Sequence, residues 1–486
     1  MGKFQPLSSY EKPLAEGYRL LPFRFTRLHN DDYVVTNQAG EFTILDRESL
    51  VALVRHHLTP ASHVYDDLKS KHLLMDADSD VAIDLLTLKV RTKLRRLSEF
   101  TGLHIFVVTL RCEHSCRYCQ VSRQSDNKLA FDMSEEAADK ALALTFRSPS
   151  RAIKIEFQGG EPLLNFPRVR YIVERAKAIN KVENRLLEFV IATNLALVDY
   201  EILEFCRTHE IMISTSLDGP ENLHNKNRPR PGGDSYERTI AGIEKAKMAL
   251  GRDRVSALMT TSEASLGRVR DIIDEYIRYD FDGIFLRSLS PYGYAIKTKW
   301  YDRYGTEQWL KFYFDGLDYI IDLNKSGHFF VEQFAAMILT KMCTPFETGY
   351  VDQMSPAGIG IAALVYNYDG DVYASDESRM LAEMGDKTFR LGNVHENSYE
   401  EIILSDALLA PLEESFAASA PMCSDCAFEP YCGADPVRHH ALQGDFVGRK
   451  PLAPFCNRNM AIFRRLISLM ESDDEVRRIF LSWVTL

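Results

Sequence analysis

The sequence predicts an α/β protein built on a partial (β/α)6 TIM-like barrel, with a winged-helix-like module before the barrel and a cysteine-rich extension after it. Three observations support this fold class. Strand-like and helix-like segments alternate between residues 99 and 300, two short strands followed by helices precede them, and seven of the nine cysteines fall into two clusters. We therefore divide the chain into residues 1–98, 99–300 and 301–486.

The barrel prediction rests on hydrophobic patterning. Residues 103–110 form a continuous apolar run, as expected of a strand buried on both faces. Repeated β–α units imply parallel strands with right-handed crossovers, and six units suit an open barrel better than a closed one of eight. The further strand candidates are 152–157, 188–193, 211–217, 254–260 and 282–286, and helical stretches between them include 134–146, 167–179, 236–250 and 266–277.

The flanking regions have their own patterns. A hairpin at residues 33–45, a helix capped by Asp46 and a second helix over 65–74 predict the N-terminal module. Such modules often bind a peptide along an edge strand, although a structural cap is the alternative. In the last region a helical stretch over 306–342 leads to a hairpin turning at Gly370, and a helix over 460–470 closes the chain.

Composition excludes several classes of protein. The chain has 486 residues, 45% of them hydrophobic and 26% charged, which is typical of a globular protein. Its net charge is 58 − 69 = −11, which argues against general nucleic-acid binding. No segment is apolar enough to span a bilayer, the start lacks a signal-peptide core, and Pro6 stands where a myristoylation signal needs Ser or Thr. We expect a cytoplasmic protein with neither a membrane nor a nucleic-acid partner.

The first cysteine cluster follows the first barrel strand. Cys112, Cys116 and Cys119 have the spacing C-x3-C-x2-C. Three thiolates can hold three irons of a [4Fe–4S] cluster, and the fourth iron then keeps the open position that a catalytic metal needs. The alternative is a zinc site completed by His114 or by a distant ligand.

Polar residues also follow the later strands. Gln158, Gly159, Gly160 and Glu161 end the second strand, where glycines allow close backbone approach and a carboxylate can accept hydrogen bonds from an ammonium group. Asn194, Ser216 and Arg228 lie after the third and fourth strands. Simpler explanations are a Gly-Pro turn for the first group, helix capping for Asn194 and a solvated loop charge for Arg228.

The second cluster is Cys423, Cys426, Cys432 and Cys456, with the spacing C-x2-C-x5-C-x23-C. Four thiolates can bind zinc or a closed [4Fe–4S] cluster, and spacing alone favours neither strongly. Because the first cysteine cluster is predicted to hold iron and sulfur, an iron–sulfur cluster is favoured over zinc at the second cluster as well. Of the two remaining cysteines, Cys206 is expected to be a core residue. Cys343 is expected to be a buried small apolar residue, and the alternative is that it helps to complete a degraded cluster site.

With Tyr118 before its third cysteine, the first cluster resembles that of the radical S-adenosylmethionine (SAM) family. The resemblance implies that the open iron binds SAM, and that one electron from a donor cleaves SAM to a 5′-deoxyadenosyl radical that abstracts hydrogen. It also implies a set of SAM contacts, although Asn225 stands where the family has Asp. The implied contacts are Tyr118, Gln158, Gly159, Gly160, Glu161, Asn194, Ser216 and Arg228.

The second cluster resembles the second auxiliary site of the SPASM extension found in peptide-modifying radical SAM enzymes. Ser375 and Pro436 replace cysteines of that extension's first auxiliary site, so the resemblance implies one auxiliary [4Fe–4S] cluster. Asp376 matches an aspartate that takes a proton in sulfatase-maturing relatives. A surface turn residue is the alternative for Asp376.

The N-terminal segments 18–25 and 36–42 resemble the radical SAM maturase of the His-Xaa-Ser repeat peptide system. This resemblance implies a ribosomally made peptide substrate, modified by C–H hydrogen abstraction, and a second radical SAM maturase as partner. The alternative reactions are sulfatase-type formylglycine formation and thioether cross-linking. A non-enzymatic alternative is a zinc-stabilised binding protein built on a barrel.

Overall fold

The computed structural model describes residues 17–28, 31–78 and 81–484. The first residues of the chain, on which the expectations about a signal peptide and myristoylation rest, lie outside these ranges. Within them, no helix has the length and apolar character needed to cross a membrane.

The described residues form the strands β1 (Tyr18–Leu20), β2 (Phe23–Arg27), β3 (Tyr33–Asn37), β4 (Phe42–Leu45), β5 (Leu74–Asp76), β6 (Leu103–Thr109), β7 (Ala152–Gly159), β8 (Leu186–Ala192), β9 (Met212–Ser216), β10 (Val255–Leu258), β11 (Gly283–Ile284), β12 (Val331–Glu332), β13 (Ala363–Tyr366), β14 (Asp371–Tyr373) and β15 (Arg390–Asn393). The helices are α1 (Arg47–Val54), α2 (Tyr65–Ser70), α3 (Ala82–Lys93), α4 (Lys128–Phe131), α5 (Glu135–Thr145), α6 (Phe166–Glu183), α7 (Tyr200–His209), α8 (Glu221–Asn227), α9 (Ser235–Leu250), α10 (Val269–Arg278), α11 (Tyr294–Lys297), α12 (Thr306–Lys325), α13 (Gln333–Cys343), α14 (Asp376–Ala382), α15 (Tyr399–Ile403), α16 (Asp406–Glu414), α17 (Pro436–Gln443), α18 (Pro454–Ser472) and α19 (Asp474–Trp483).

A mixed sheet of eight strands forms the centre of the molecule, in the order β10-β9-β8-β7-β6-β13-β14-β15. The strands from β6 to β10 are parallel neighbours, as the alternating β–α pattern predicts. β13 runs parallel to β6 on its other side, and β14 and β15 continue the sheet antiparallel. The C-terminal hairpin therefore extends the barrel sheet instead of forming a separate layer.

The sixth predicted barrel strand differs from expectation. It shortens to β11 and pairs in parallel with β12, outside the central sheet. Just beyond β11 the amide of Arg287 donates to the carbonyl oxygen of Phe285 at 2.8 Å, a tight turn that interrupts the extended backbone. One backbone hydrogen bond, from Thr261 to the carbonyl oxygen of Arg287 at 2.9 Å, still links this segment to the end of β10.

Side chains on β7 alternate between a buried apolar face and a polar face. Ile153, Ile155 and Phe157 are at most 1% exposed and pack against the outer helices. Glu156 and Gln158 point to the other side and line a cavity. The strand thus places its polar residues inside the curved sheet, where the candidate site lies.

The N-terminal region contains the antiparallel sheet β2-β3-β4 and the separate pair β1-β5. The side chain of Asp46 caps α1 as predicted, accepting from the amide of Ser49 at 2.6 Å. The second predicted helix ends at Ser70, and the chain continues into β5. Further along, the predicted helix over 306–342 is split into α12 and α13 by the short strand β12.

Candidate active site

One cavity of about 240 Å³ lies at the carboxyl ends of the strands from β6 to β10. It brings together every residue that the sequence predicts for the first cluster, for SAM contact and for proton transfer, which are Cys112, Cys116, Tyr118, Cys119, Gln158, Gly159, Gly160, Glu161, Asn194, Ser216, Arg228 and Asp376. These residues come from six separate segments of the chain, so the fold and not sequence proximity creates the site.

The loop carrying the first three cysteines is anchored where it leaves β6. The guanidinium of Arg111, a residue that is 5% exposed, forms a bidentate ion pair with Asp132 at 2.7 and 2.8 Å. Arg111 also donates to the carbonyl oxygen of Leu164 at 2.8 Å. Within the loop the amide of Cys119 donates to the carbonyl oxygen of Cys116 at 3.2 Å. The thiols thus project from a turn with a fixed starting point.

His114 is poorly placed to complete a zinc site. Its Nδ1 lies 3.0 Å from a carboxylate oxygen of Glu113 and 3.0 Å from the amide nitrogen of Asn194. Its Nε2 lies 2.8 Å from the hydroxyl of Ser235. Both ring nitrogens thus have hydrogen-bond partners that a metal would have to displace. The ligand atoms of Cys112, Glu113 and His114 nevertheless lie within 4.8 Å of one another.

The two glycines after β7 are required by backbone packing. A Cβ atom on Gly159 would lie 1.9 Å from the carbonyl oxygen of Thr109, and one on Gly160 would lie 2.1 Å from that of Arg111. Gly159 also has a φ of +138°. The sequence predicts close approach to a ligand, whereas the structure shows that these glycines first allow the end of β7 to contact the start of the cysteine loop.

Glu161 joins the second and third strand ends. Its carboxylate accepts hydrogen bonds from the amide of Leu163 at 3.0 Å, the hydroxyl of Thr193 at 2.6 Å and the amide of Asn194 at 2.9 Å. Glu161 is 1% exposed, and burial together with the nearby carboxylate of Glu113 raises its pKa. The arrangement fixes a buried carboxyl group at the wall of the cavity, where a cationic ligand would relieve its desolvation.

Arg228 is held inside the site. Its side chain is 14% exposed, and Nε lies 3.1 Å from the carboxylate of the fully buried Asp218. The guanidinium carbon lies 5.5 Å from the centre of the Tyr118 ring, and the hydroxyl of Tyr118 donates to Asp218. The solvated-loop alternative for Arg228 is therefore wrong. Asn225, where the family has Asp, accepts from the amide of Tyr236 at 2.8 Å and supports the start of α9.

Sequence reasoning missed four charged residues of this region. Asp218 lies in the same short motif as Ser216, so the motif itself could have identified it. Glu156 precedes Gln158 by two positions, which is a detectable alternation on a buried strand. Glu113 stands inside the cysteine motif, and Arg287 follows β11 without a clear sequence signal. Glu156 and Arg287 line the cavity, and burial raises the pKa of Glu156.

Asp376 occupies the first position of α14 and lines the cavity. Its side chain is 17% exposed and lies 3.2 Å from the guanidinium of Arg379, which is itself fully buried. Asp376 is therefore not a surface turn residue. The ion pair with a buried arginine fixes the position of this carboxylate at the cavity wall.

The four C-terminal cysteines converge in space. Cys426 interacts electrostatically with Cys423, Cys432 and Cys456, and burial together with these neighbours raises its pKa to about 11. Cys456 lies in the first turn of α18, and its pKa is also raised to about 11, chiefly by burial. Nearby, the side-chain amide of Asn459 lies 3.6 Å from the sulfur of Cys432. Four thiols with a hydrogen-bond donor beside one sulfur form a donor set suited to a soft metal.

Ser375 and Pro436, which stand where the related extension has cysteines, lie at the starts of helices. The hydroxyl of Ser375 caps α14, accepting from the amide of Ser378 at 3.2 Å, and Pro436 is the first residue of α17. Cys206 is fully buried as expected. Cys343 is exposed, so the expectation that it is a core residue is wrong; it ends α13, beyond the apolar face of that helix.

Comparisons with known proteins show which proteins this chain resembles. The family model described as the Radical SAM superfamily matches residues 106–276. The cysteine-type anaerobic sulfatase-maturating enzyme of Clostridium perfringens (strain 13 / Type A) is 24% identical over 338 residues, covering 66% of this chain and 84% of that protein. Two other curated relatives are matched over only 38% and 32% of their own lengths.

Solved structures share the fold at low identity. The structure of native anSMEcpe with bound AdoMet has a TM-score of 0.62 and 16% identity, covering 78% of this chain and 99% of that one. Streptococcus suis SuiB bound to precursor peptide SuiA has a TM-score of 0.52 and 14% identity, covering 88% and 97%. Residues 106–276 of the chain thus match the Radical SAM superfamily, and the chain is similar in sequence to a maturating enzyme over most of that enzyme's length.

A radical SAM domain implies a [4Fe–4S] cluster and SAM, and the residues present fit both groups. Three thiols face one cavity, together with a buried carboxyl group and a buried guanidinium. Thiolates are the ligands of iron–sulfur clusters, and the two charged groups match the ammonium and carboxylate of an amino acid. The donor set therefore agrees with the cofactors that the superfamily implies.

Proposed function

We propose that this chain is a radical SAM peptide maturase that modifies a ribosomally made peptide of the His-Xaa-Ser repeat type. The observation that carries the proposal is the single cavity in which the thiols of Cys112, Cys116 and Cys119 meet the polar ends of the neighbouring strands. When bound there, the cluster and SAM supply hydrogen-atom abstraction from an unactivated C–H bond.

The residues around the thiols have complementary roles in holding SAM. Glu161 accepts hydrogen bonds from the ammonium group, and Arg228 donates to the carboxylate through its planar guanidinium. Asn194, which follows β8, and Ser216, at the end of β9, offer polar groups to the remaining part of the SAM molecule. The backbone at Gln158, Gly159 and Gly160 lines the same wall, and Tyr118 closes the side next to the third cysteine.

Asp376 is the proton acceptor for the peptide. It lies at the start of α14 and lines the same cavity, where its charge acts on Glu156 of β7. Its ion pair with Arg379 fixes the carboxylate without placing it deep in the core. Structures with precursor peptide SuiA and with a Cp18Cys peptide support a peptide as the class of substrate.

The N-terminal module, which the sequence predicts to be winged-helix-like, binds the peptide. β2 is an edge strand of the sheet β2-β3-β4, and edge strands present unpaired backbone groups that an extended peptide can use. Next to it Phe25, Val51 and Val54 are 49%, 41% and 47% exposed and line a groove of about 290 Å³. Arg47 and Arg55 flank this groove and favour an acidic segment.

The C-terminal cysteines hold one auxiliary [4Fe–4S] cluster, and the loss of cysteines at positions 375 and 436 argues against another. An external electron donor and a second radical SAM maturase complete the system. The product is a cross-link that involves a His or Ser side chain, because the repeat supplies both residue types. Formation of such a link removes two hydrogens from the peptide.

Two alternative reactions are tested by the same experiment. The relation to sulfatase-maturating enzymes favours formylglycine formation, and a Cys-bearing substrate would allow a thioether link. Co-expression with a His-Xaa-Ser repeat peptide, followed by mass spectrometry, should show a loss of two hydrogens per link and no reaction with a hydrazide. A hydrazide adduct indicates the aldehyde of formylglycine, and an unchanged peptide mass rejects peptide maturation of this substrate.

A further inference from the structure

A second cavity, of about 210 Å³, lies beside the active site. It is lined in part by Ser288 and Leu289, which directly follow Arg287 of the active-site cavity. Successive Cα atoms are about 3.8 Å apart, so one short segment separates the two cavities. The active-site cavity lies at the carboxyl ends of the parallel strands, and the second cavity adjoins it through this segment.

Two arginines give the second cavity its charge. Arg438 is 8% exposed, and its Nε has no hydrogen-bond partner among the described residues. One of its terminal nitrogens lies 3.3 Å from the hydroxyl of Tyr301. A terminal nitrogen of Arg458 lies 3.3 Å from the hydroxyl of Ser288. Within the described ranges neither guanidinium forms an ion pair, and both line the cavity.

The start of α12 adds a third positive element. Gly305 and Thr306 line the cavity, and the helix that begins at Thr306 has 20 residues. Its N-cap is Gly305, which has no side chain to cap the first helical amides, and the side chain of Gln308 accepts only from the amide of Gly305 itself, at 2.9 Å. The N-terminal end of a helix of this length carries partial positive charge and donors directed at an anion.

The nearby acids Asp435 and Asp352 act electrostatically on both arginines, but among the described residues neither acid forms an ion pair with a guanidinium group and neither lines the cavity. A carboxylate oxygen of Asp435 is occupied by the backbone amide of Arg438 at 2.9 Å, and burial raises the pKa of Asp435 to about 6. Burial and the proximity of Asp435 raise the pKa of Asp352 as well. Asp302 lines the cavity but is exposed to solvent. An anion therefore finds two guanidinium groups and a helix end without a directly bonded carboxylate between them.

We propose that this cavity binds a carboxylate of the peptide substrate and so positions the peptide for the neighbouring active site. The proposal rests on the proposed function. A guanidinium fork matches a planar carboxylate, and the apolar walls formed by Leu289, Trp309 and Pro454 suit the short carbon stem that carries it. The shared chemistry is a carboxylate, carried either by an acidic side chain or by the peptide's C-terminus.

Ligand-observed saturation-transfer NMR on the anaerobically reconstituted full chain tests this site. N-acetylglutamate α-amide represents the side-chain source, N-acetylalanine represents the terminal source, and N-acetylglutamine amide is the neutral control. We expect one of the two acids to bind, with the neutral amide at least about tenfold weaker. Equal binding of acid and amide overturns the proposal, as does binding of inorganic phosphate with no binding of either acid.

Substitutions in and near the second cavity test whether the acid probe binds there. Arg438→Gln should abolish transfer to the acid, whereas Arg303→Gln, which changes an exposed arginine of the adjoining loop, should leave it unchanged. If Arg438→Gln does not fold by circular dichroism, Ser288→Asp provides the second variant, because its own carboxylate should occupy the cavity and exclude the probe. Undiminished transfer in a folded variant contradicts the proposal. The assay requires no SAM cleavage, so failure of the proposed enzymatic function is distinguishable from failure of this site.

Discussion

The guanidinium of Arg228 and the carboxylate of Asp218 lie 3.1 Å apart in the wall of the active-site cavity. The same carboxylate accepts from the hydroxyl of Tyr118 and from the side-chain amide of Asn227 at 3.1 Å. Because Tyr118 stands between Cys116 and Cys119, one buried carboxylate ties the cysteine loop to the end of β9. The positions of the thiols and of Arg228 are therefore coupled.

Tyr118→Phe tests this coupling. The substitution removes one of the two hydrogen bonds that Oδ2 of the fully buried Asp218 accepts, at a cost of about 0.5–1.5 kcal/mol of folding stability. We also expect weaker SAM binding, because Arg228 loses a fixed neighbour. Denaturant unfolding and SAM titration measure the two effects. Tyr294→Phe is the matched control, since that hydroxyl makes only a 3.4 Å contact with the carbonyl oxygen of Arg123.

Cys426→Ala tests the auxiliary cluster. The variant should lose about four irons of about eight per chain, retain some SAM cleavage and lose the peptide product. Iron analysis, 5′-deoxyadenosine assays and peptide mass spectrometry provide the three measurements. Cys343→Ala, at an exposed cysteine outside both clusters, should retain full iron and product. An unchanged iron content in Cys426→Ala would rule out the assignment.

Asp376→Asn tests the proton acceptor. SAM cleavage should persist, because no SAM contact is assigned to this residue, while peptide product should fall by about 10²-fold or more. Asp406→Asn is the matched control, since Asp406 also occupies the first position of a helix but is exposed. A normal rate of product formation in Asp376→Asn would mean that the proton goes elsewhere.

The buried His104 predicts a pH dependence of stability. Burial lowers its pKa to about 3, and the residue is 0% exposed on β6, with its ring nitrogens 3.2 Å from the hydroxyl of Tyr366 and 3.1 Å from the carbonyl oxygen of Thr101. The unfolded chain binds a proton near pH 6.5 and the folded chain does not, so stability falls as pH drops below that value. At pH 5.5 this group alone costs about 1 kcal/mol relative to pH 7.5.

Thermal unfolding at pH 5.5 and 7.5 measures this effect. His104→Gln should reduce the difference in melting temperature between the two pH values. His328→Gln, at an exposed histidine, should leave the difference unchanged. An equal pH dependence in the wild type and in His104→Gln would show that His104 is not the group responsible.

Much of the barrel was predictable because its strands and helices follow simple local rules. Apolar runs on β6 and β8 and amphipathic helices such as α10 define the parallel units, and the helix predicted over 134–146 is α5, which Ser134 caps. The shortening of the sixth strand could not be predicted, because the turn at Phe285–Arg287 depends on a backbone conformation that the apolar pattern does not reveal. The continuation of the sheet through β13 likewise depends on pairing across more than 250 residues.

The site was predictable at the level of cysteines and strand ends, because each motif is contiguous in sequence. The partners that hold those motifs in place come from distant segments and leave no local signal. Arg111 pairs with Asp132, and the hydroxyl of Tyr118 reaches Asp218 one hundred positions away. The second cavity is a stronger example, since Arg438 and the start of α12 meet only in the folded chain.

We propose that Cys112, Cys116 and Cys119 hold a [4Fe–4S] cluster whose open iron binds SAM. The most direct test of this proposal is anaerobic reconstitution with iron and sulfide, followed by SAM addition and a 5′-deoxyadenosine assay, with Cys116→Ala in parallel. With two four-iron clusters, we expect about eight irons per chain and a spectral change on adding SAM. We also expect 5′-deoxyadenosine from the wild type but not from Cys116→Ala. Zinc without iron, or 5′-deoxyadenosine production that survives in Cys116→Ala, would contradict it.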